Sequence, residues 1–439
     1  MTKFDLVVIG AGPGGYTSAA FAAKTGLNTA IIESRELGGT CLNRGCIPTK
    51  TFIHCIEEWG TDIDRIQEHK ANVVESLQKG VGTILKKGKV AHYSGLGTIV
   101  GENQVKITGA DGTTETIEAD KILICTGSVP AVPPIPGHDL PNVITSDELL
   151  DNRTIYKKLI IIGGGVIGAE FASIYRNLGS EVVVIEALDR LLANLDKEIS
   201  QSIKMLFKKR GIEAHTSSMV QRIEQNEDGT LKCVFTEKDA EVSVDGDAVL
   251  MSVGRRPNTN GLLDGVELDM ERGRILVNET YQTNIPNIYA IGDVIGGIQL
   301  AHVSVAEGIN AVCHMVGEEP EKALNAVPSC IYTDPEIAQV GMSADEAKAL
   351  GDKVKVVKYP MSANGKSLLS MQERGFIKIV ADAQTGKVLG GMMMCARATD
   401  MISVITTAVV NELTVDQMKA VIFPHPTFAE GIGETFDLF

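Results

Sequence analysis

FDLVVIGAGPGGYTSAAFAAKTGLNTAIIE, residues 4–33, decides the fold, because KKLIIIGGGVIGAEFASIYRNLGSEVVVIE, residues 157–186, repeats it. Each stretch reads as an apolar strand, a glycine turn, a small-residue helix, a Gly, a second apolar strand and a terminal Glu. The glycines are Gly10, Gly12 and Gly15 in the first copy and Gly163, Gly165 and Gly168 in the second; the acids are Glu33 and Glu186. Every matching pair is 153 positions apart. A single G-x-G-x-x-G carries little weight. Two copies in strand–turn–helix context, each with an acid 18 residues past its last Gly, predict two dinucleotide-binding units. The first Gly makes the tight turn, the second lets backbone approach a pyrophosphate, and the third allows close helix–strand packing. The helix N-terminus offers unpaired N–H groups to the phosphates, and the acid accepts hydrogen bonds from the ribose.

The rest of the chain is organised around these units. Residues 61–90 read as a pair of polar helices, and 90–125 as short strands with a turn at ADGTT. TGSVPAVPPIPG (126–137), with Gly127 near its start, is rich in Pro and Gly and predicts a crossover loop between domains. VGRRPN (253–258), with Gly254, closes the second unit; residues 274–289 read as strand leading into IYAIGD (288–293). From 328 the character changes. IKIVADAQTGKVLGGMMM (377–394) predicts antiparallel strands with a turn at DAQTGK, followed by helices near 399–412 and 414–421. The Met392–Met394 run is expected to pack in a core. The fold class is therefore α/β, with two Rossmann-like dinucleotide-binding domains, a central region and a C-terminal α+β domain. Expected boundaries are 1–145, 146–258, 259–327 and 328–439.

A chain of 439 residues has room for two to four domains at about 100–200 residues each. Its net charge of −15 argues against nucleic acid or an anionic membrane as a partner. No uncharged apolar run reaches the roughly 18 residues needed to span a bilayer. MTKFDLVVIGAG runs straight into a strand with no small-residue cleavage site, so a cytoplasmic enzyme is expected. Eight cysteines in a chain this long do not make a secreted disulfide framework, and a cytosolic disulfide is usually catalytic. Cys125 (KILICTG) and Cys233 (LKCVF) lie in strand-like runs and are expected to pack in cores.

GGTCLNRGCIPTK (38–50) begins only a few residues after Glu33, so Cys41 and Cys46 should lie beside the first dinucleotide. Three readings compete. A zinc site would need a second ligand pair, and neither a C-x-x-C nor a spaced His pair is present elsewhere, so no metal is expected. Inert core thiols would leave the surrounding glycines, Asn43, Pro48 and Lys50 without a reason. A disulfide makes a geometric demand: residues five apart in a regular helix have Cα atoms about 8–9 Å apart, whereas a bridge needs about 4.4–6.8 Å. The turn must then be distorted, and Gly45 lies within it.

At this point a resemblance becomes specific. GGTCLNRGCIPTK resembles the active-site signature of the class I pyridine nucleotide-disulfide oxidoreductases, and within that family it is most similar to the members that oxidise dihydrolipoamide. IYAIGD, VGRRPN and the C-terminal HPTFAE (425–430) fall in the family's order, so the likeness covers essentially the whole chain. The resemblance implies that Cys41 and Cys46 form a redox-active disulfide, that the first dinucleotide is FAD and the second NAD(P), and that the C-terminal domain is a dimerisation domain. It assigns Cys46 to the flavin, Cys41 to exchange with substrate, and Asp293 to the ribityl chain of FAD. Lys50 matches a lysine near the flavin, with Glu170 as its carboxylate partner.

FPHPTFAEGIGE supplies a base. A free thiol is only a few per cent thiolate at neutral pH, so dithiol attack on a disulfide calls for a proton acceptor such as His. His425, with Glu430 to hold its ring, matches the family's His–Glu pair. Glu186 favours NAD, because a carboxylate there binds a ribose 2′-OH and repels a 2′-phosphate. The reaction implied is oxidation of protein-bound dihydrolipoamide with reduction of NAD+. Implied partners are a second copy, in a homodimer with shared active sites, and the lipoyl domain of a 2-oxoacid dehydrogenase or glycine cleavage complex. Alternatives are another NAD(P)H-dependent disulfide reductase of the family, or a non-catalytic flavin-binding scaffold. GETFDLF carries no additional redox pair of the kind that some relatives have at the C-terminus. Two features depart from the family pattern. Phe423 stands where members often have a second His, and the stretch after Lys50, TFIHCIEEWGTDIDRI, is shorter than usual beside the substrate channel.

Overall fold

Strand β1 (Lys3–Ile9) forms because its apolar residues can be buried on both faces, as a parallel strand in the middle of a sheet requires. Helix α1 (Pro13–Lys24) follows the glycine turn, with Pro in its first turn, and β2 (Thr29–Glu33) returns parallel to β1. Helices α2 (Gly39–Arg44), α3 (Cys46–Trp59) and α4 (Ile63–Lys87) come next. Strands β3 (Ala91–Ser94), β4 (Leu96–Gly101), β5 (Gln104–Thr108) and β6 (Thr114–Ile124) complete the first half. Short helix α5 (Ser146–Asp151) precedes the second glycine unit, which contains α6 (Val166–Asn177) and α7 (Lys197–Lys209). Helix α8 (Ala301–Val316) lies beyond IYAIGD.

This computed structural model describes all residues 1–439. The chain divides into two compact units that interleave along the sequence. The first comprises residues 1–131, 145–153 and 254–324; the second comprises 132–144, 154–253 and 325–439.

The first unit is built on a sheet ordered β3-β2-β1-β6-β5-β4, with residues 288–290 also paired to β6. The eleven-residue β6 serves three partners, one of them the parallel β1. Its first half pairs antiparallel with β5, and its end, Ile122–Ile124, takes residues 288–290 in parallel. That pairing delivers the IYAIGD segment to the same sheet end as the first glycine turn. Helix α8 packs against α1 so closely that a Cβ on Gly308 would fall 2.0 Å from Ser18 Oγ, and one on Gly14 2.5 Å from Ser304 Oγ.

The second unit contains a parallel sheet with strands 212–216, 181–186, 158–162 and 248–251 in that order, and an antiparallel meander of 218–225, 231–237 and 240–246. Its C-terminal part is a five-stranded antiparallel sheet, ordered 329–331, 337–341, 388–394, 376–382 and 354–360. Helix 398–410 covers this sheet around Ile377, Ile379, Met393, Ile402 and Ile405. Met392, Met393 and Met394 are buried there, as expected of core residues.

Two expectations are corrected. Residues 61–90 form one 25-residue helix, not a pair. Gly80 and Gly82 interrupt its pattern but do not end it, because Ile66, Val81 and Leu85 still share a buried face. Residues 274–289 are mostly irregular: Arg274–Ile275 pairs with Met270–Glu271, and strand resumes only at Ile288. No helix is long and apolar enough to cross a membrane.

Candidate active site

The two glycine turns repeat each other atom for atom. A Cβ on Gly10 would sit 2.4 Å from the Cys125 carbonyl oxygen, and one on Gly163 2.5 Å from that of Ser252. Both glycines have positive φ, +101° and +106°, so these turns close only with Gly. A Cβ on Gly15 would meet Gly10 O at 1.9 Å, and one on Gly168 would meet Gly163 O at 2.0 Å. The middle glycines differ. A Cβ on Gly12 would find nothing nearer than 3.9 Å, and one on Gly165 nothing within 4 Å. First and third glycines are therefore sealed by the fold, while the middle one faces a cradle that a side chain would fill and a pyrophosphate can enter. Gly12 and Gly165 are the N-cap residues of α1 and α6, and no side chain caps either helix, which leaves their first N–H groups for an anion. The residues present fit two dinucleotides.

The acids do more than was expected of them. Glu33 Oε2 accepts from Ala11 N at 2.7 Å and Oε1 from Arg35 N at 2.9 Å. Glu186 copies this, accepting from Gly164 N at 2.5 Å and Leu188 N at 2.7 Å. Each carboxylate ties its own glycine turn to the chain beyond its strand. A carboxylate has about four acceptor positions, so two on each remain for ribose hydroxyls.

The dithiol lies where the helix breaks. Helix α2 ends at Arg44, Gly45 takes φ −146° and ψ −115°, and α3 begins at Cys46. This is the distorted turn that the five-residue spacing demands, and it brings the two sulfurs into a side-chain hydrogen bond. Cys41 is half-buried and Cys46 exposed. Asn43 pins the turn from inside. Its amide donates to Leu37 O at 3.0 Å and Gly39 O at 2.8 Å, and its carbonyl accepts from Gln78 of α4 at 2.6 Å. The Cys41 thiol is pushed well above the ordinary thiol range, first by its hydrogen bond to Cys46, then by burial, then by negative charge on Cys46; Lys50, one turn along α3, pulls the other way. The neighbouring sulfur and burial thus favour the protonated form of Cys41.

Asp293 sits in a 3-10 turn, Gly292–Ile295, just beyond strand 288–290. It accepts from the Ser128 hydroxyl, and Arg255 braces Ser128 by donating to Oγ at 2.7 Å and to the carbonyl at 2.8 Å. Thr126 Oγ1, beside the first glycine turn, is buried without a hydrogen-bond partner. Gly127 and Gly254, both with positive φ, have open space where a Cβ would be. Burial pushes the Cys125 thiol up, and Cys233 is fully buried with its thiol pushed up to about 12; both behave as packing residues.

His425 and Glu430 meet as the sequence implied. His425 Nδ1 lies 2.8 Å from Glu430 Oε1, while Glu430 Oε2 accepts from Thr427 N at 2.7 Å. With Nδ1–H donating to the carboxylate, Nε2 is left as the proton acceptor. The Thr427 amide and then His425 hold the Glu430 carboxyl below the usual range. Phe423 packs at the edge of the C-terminal core. Glu170 is buried on α6 and accepts from Tyr332 N at 3.0 Å. In the shortened stretch after Lys50, α3 ends at Trp59 and only three residues separate it from α4. Sequence reasoning missed Ser128 and Arg255, although both lie inside quoted motifs, and it missed Glu307. The signal for Glu307 is a lone acid among small residues in AEGIN.

The chain matches two family models: the pyridine nucleotide-disulphide oxidoreductase model over residues 4–308, and the dimerisation domain of the same family over 327–436. This protein belongs to the pyridine nucleotide-disulphide oxidoreductase family. It is similar to a dihydrolipoyl dehydrogenase of Bacillus subtilis, 40% identical over 99% of this chain and 97% of the relative. It is also similar to one of Chlamydia trachomatis, 41% identical over 98% and 96%. Among solved structures it resembles the HOCl-induced flavoprotein disulfide reductase RclA of Escherichia coli, with a TM-score of 0.91, 31% identity and 99% of each chain covered.

Proposed function

We propose that this protein oxidises dihydrolipoamide to lipoamide and reduces NAD+ to NADH, with FAD in the first glycine unit and NAD in the second. The observation that carries the reading is the dithiol at the α2–α3 break, in the same unit as the first glycine turn, with its two sulfurs in unequal protonation environments. Relatives that match nearly the whole chain and are named for this reaction support it.

Starting from the Cys41–Cys46 disulfide, a substrate thiol gives its proton to His425 Nε2 and attacks Cys41 Sγ. The Cys41–Cys46 bond breaks and Cys46 leaves as thiolate. The second substrate thiol then attacks the mixed disulfide, releasing lipoamide, and Cys41 regains a proton. Two electrons now reside on the dithiol. Bound FAD supplies the route by which that pair passes from Cys46 to NAD+. Glu430 orients the imidazole and stabilises its cation, Lys50 adds positive charge beside the dithiol, and Asp293 accepts from the ribityl chain. Glu33 and Glu186 take the riboses, Gly127 and Gly254 keep backbone open to the cofactors, and Glu186 selects NAD over NADP.

The working form is a homodimer in which His425 of one copy serves the Cys41–Cys46 centre of the other. The dimerisation-domain match supports the dimer. So do exposed apolar side chains in the C-terminal domain: Ile422, three residues before His425, is 93% exposed, and Val421, Leu438, Leu368 and Met371 are exposed as well. The physiological substrate is dihydrolipoamide on the lipoyl domain of a 2-oxoacid dehydrogenase or glycine cleavage complex. The test is turnover of dihydrolipoamide with NAD+ against glutathione disulfide with NADPH; preference for the second pair overturns the assignment. Sharing is tested by refolding Cys41→Ser and His425→Ala chains together in equal amounts. About half the dimers are then mixed, each with one intact site, and activity should recover to roughly a quarter of wild type. No recovery refutes a shared site.

A further inference from the structure

One half-buried carboxylate has no part in the chemistry above. Glu307 lies on α8, and burial raises its pKa, as does the neighbouring charge of Asp293. Two acids facing each other in a poorly solvated place oppose folding unless something compensates. The compensating group is the amide of Gly292, which donates to Glu307 Oε2 at 2.7 Å.

The position of α8 gives that bond its meaning. Ser304 and Gly308 press on Gly14 and Ser18 of α1, the helix that opens from the first glycine turn. On the other side, Ser304 Cβ lies 2.9 Å from where a Gly292 Cβ would be, and Glu307 grips the Gly292 amide. Gly292 has φ +72°, in the left-handed region, and the next residue is Asp293. One helix thus fixes both the pyrophosphate turn and the turn that presents the ribityl-binding acid. The remaining groups facing the carboxylate are the Cys125 thiol and the Tyr281 hydroxyl, and the pKa of both is raised.

We propose that Glu307 is a positioning residue of the flavin site: as a hydrogen-bond acceptor for Gly292 N it holds the Gly292–Asp293 turn at the spacing from the α1 turn that FAD requires. This deepens the functional reading above and rests on it. The essential property is acceptance of a hydrogen bond, so a neutral acceptor should suffice.

The test compares Glu307→Gln with Glu307→Ala in the full-length protein. Two readouts are used: the rate of FAD release, followed by flavin fluorescence, and hydrogen exchange of the 288–296 segment in protein stripped of FAD. Glu307→Ala should release FAD about fivefold to tenfold faster, from loss of one hydrogen bond of ordinary strength, and exchange faster at 288–296. Glu307→Gln should stay within about twofold of wild type on both. The proposal is overturned if Glu307→Ala matches wild type in exchange, or if Glu307→Gln fails as badly as Glu307→Ala, since charge and not acceptance would then matter. A wild-type protein that takes up no FAD sinks the functional reading, and the exchange measurement still decides whether Glu307 holds the turn.

Discussion

Glu33→Gln and Glu186→Gln form a matched pair of perturbations on a duplicated site. In each unit the carboxylate accepts two backbone N–H bonds, at 2.7 and 2.9 Å from Glu33 and at 2.5 and 2.7 Å from Glu186. A glutamine has one acceptor oxygen. Its NH2 group must face one of those two amides, donor against donor, and it can no longer accept from a ribose hydroxyl on that side. Each charge-assisted bond lost is worth about 1.5–3 kcal/mol, and about 1.4 kcal/mol is a factor of ten. One lost bond therefore predicts about 10- to 100-fold weaker cofactor binding in each unit. Glu33→Gln should lower FAD content after gel filtration and raise the FAD concentration needed to restore activity, with KM for NAD+ unchanged. Glu186→Gln should stay fully flavinylated and raise KM for NAD+ by the same factor. If Glu186→Gln moves KM for NAD+ by less than about twofold while Glu33→Gln strips the flavin, the second unit does not hold a ribose through this acid and the argument from duplication fails.

The two thiols should separate spectroscopically. Cys41→Ser leaves Cys46 as a lone thiolate against bound flavin and should show a long-wavelength charge-transfer band without reduction, whereas Cys46→Ser should lack the band; the reverse pattern exchanges the two roles. The His425–Glu430 pair should persist in weak acid. Because the folded-state pKa of Glu430 is depressed, its contribution is fully present above the ordinary glutamate value, near 4.3, and is lost only as pH falls below that through the lowered value. The side-chain carboxyl carbon of Glu430 should thus keep its charged NMR shift from neutral pH down to about 5, and His425→Ala should move its titration up towards the ordinary glutamate range.

How much of this can be read from the sequence depends on whether the determining contacts are local. Each glycine turn closes within about 30 residues, so its strand, helix and acid are legible in one window, and repetition at a fixed offset removes the ambiguity of a single motif. The break at Gly45 is legible because the spacing of Cys41 and Cys46 is incompatible with a regular helix. What is not legible is longer in range. Asp293 finds Ser128 across 165 residues, and Arg255 finds the same Ser128 across 127. Nothing in either segment signals the other. The single helix α4 is obscured by Gly80 and Gly82, whose cost in a helix is outweighed by burial of Val81 and Leu85 beside them. The same limit hid Glu307, whose partner amide belongs to a turn 15 positions away in sequence and is brought close by the pairing of residues 288–290 with β6.

The unequal thiols follow from the same local geometry. A continuous helix through 39–59 would give Cys41 and Cys46 similar mid-helix surroundings. The break at Gly45 makes Cys46 the first residue of the 14-residue α3, a position where unpaired N–H groups and the helix dipole favour negative charge. Thr49 holds that first turn by donating both its amide, at 3.0 Å, and its hydroxyl, at 2.7 Å, to Gly45 O. Lys50 lies one turn from Cys46 and adds a positive charge. Cys41 lies in the six-residue α2 and is half-buried; Lys50 favours a charge there too, but the hydrogen bond to Cys46 and burial outweigh it. When the pair is reduced, its single negative charge is therefore drawn to the Cys46 end, and the proton stays on Cys41. A thiol that holds its proton needs a base to exchange with substrate, and the chain carries one in His425, whose side chain is 79% exposed with its Nδ1 already committed to Glu430. The helix break thus accounts for both the division of labour between the cysteines and the requirement for the histidine.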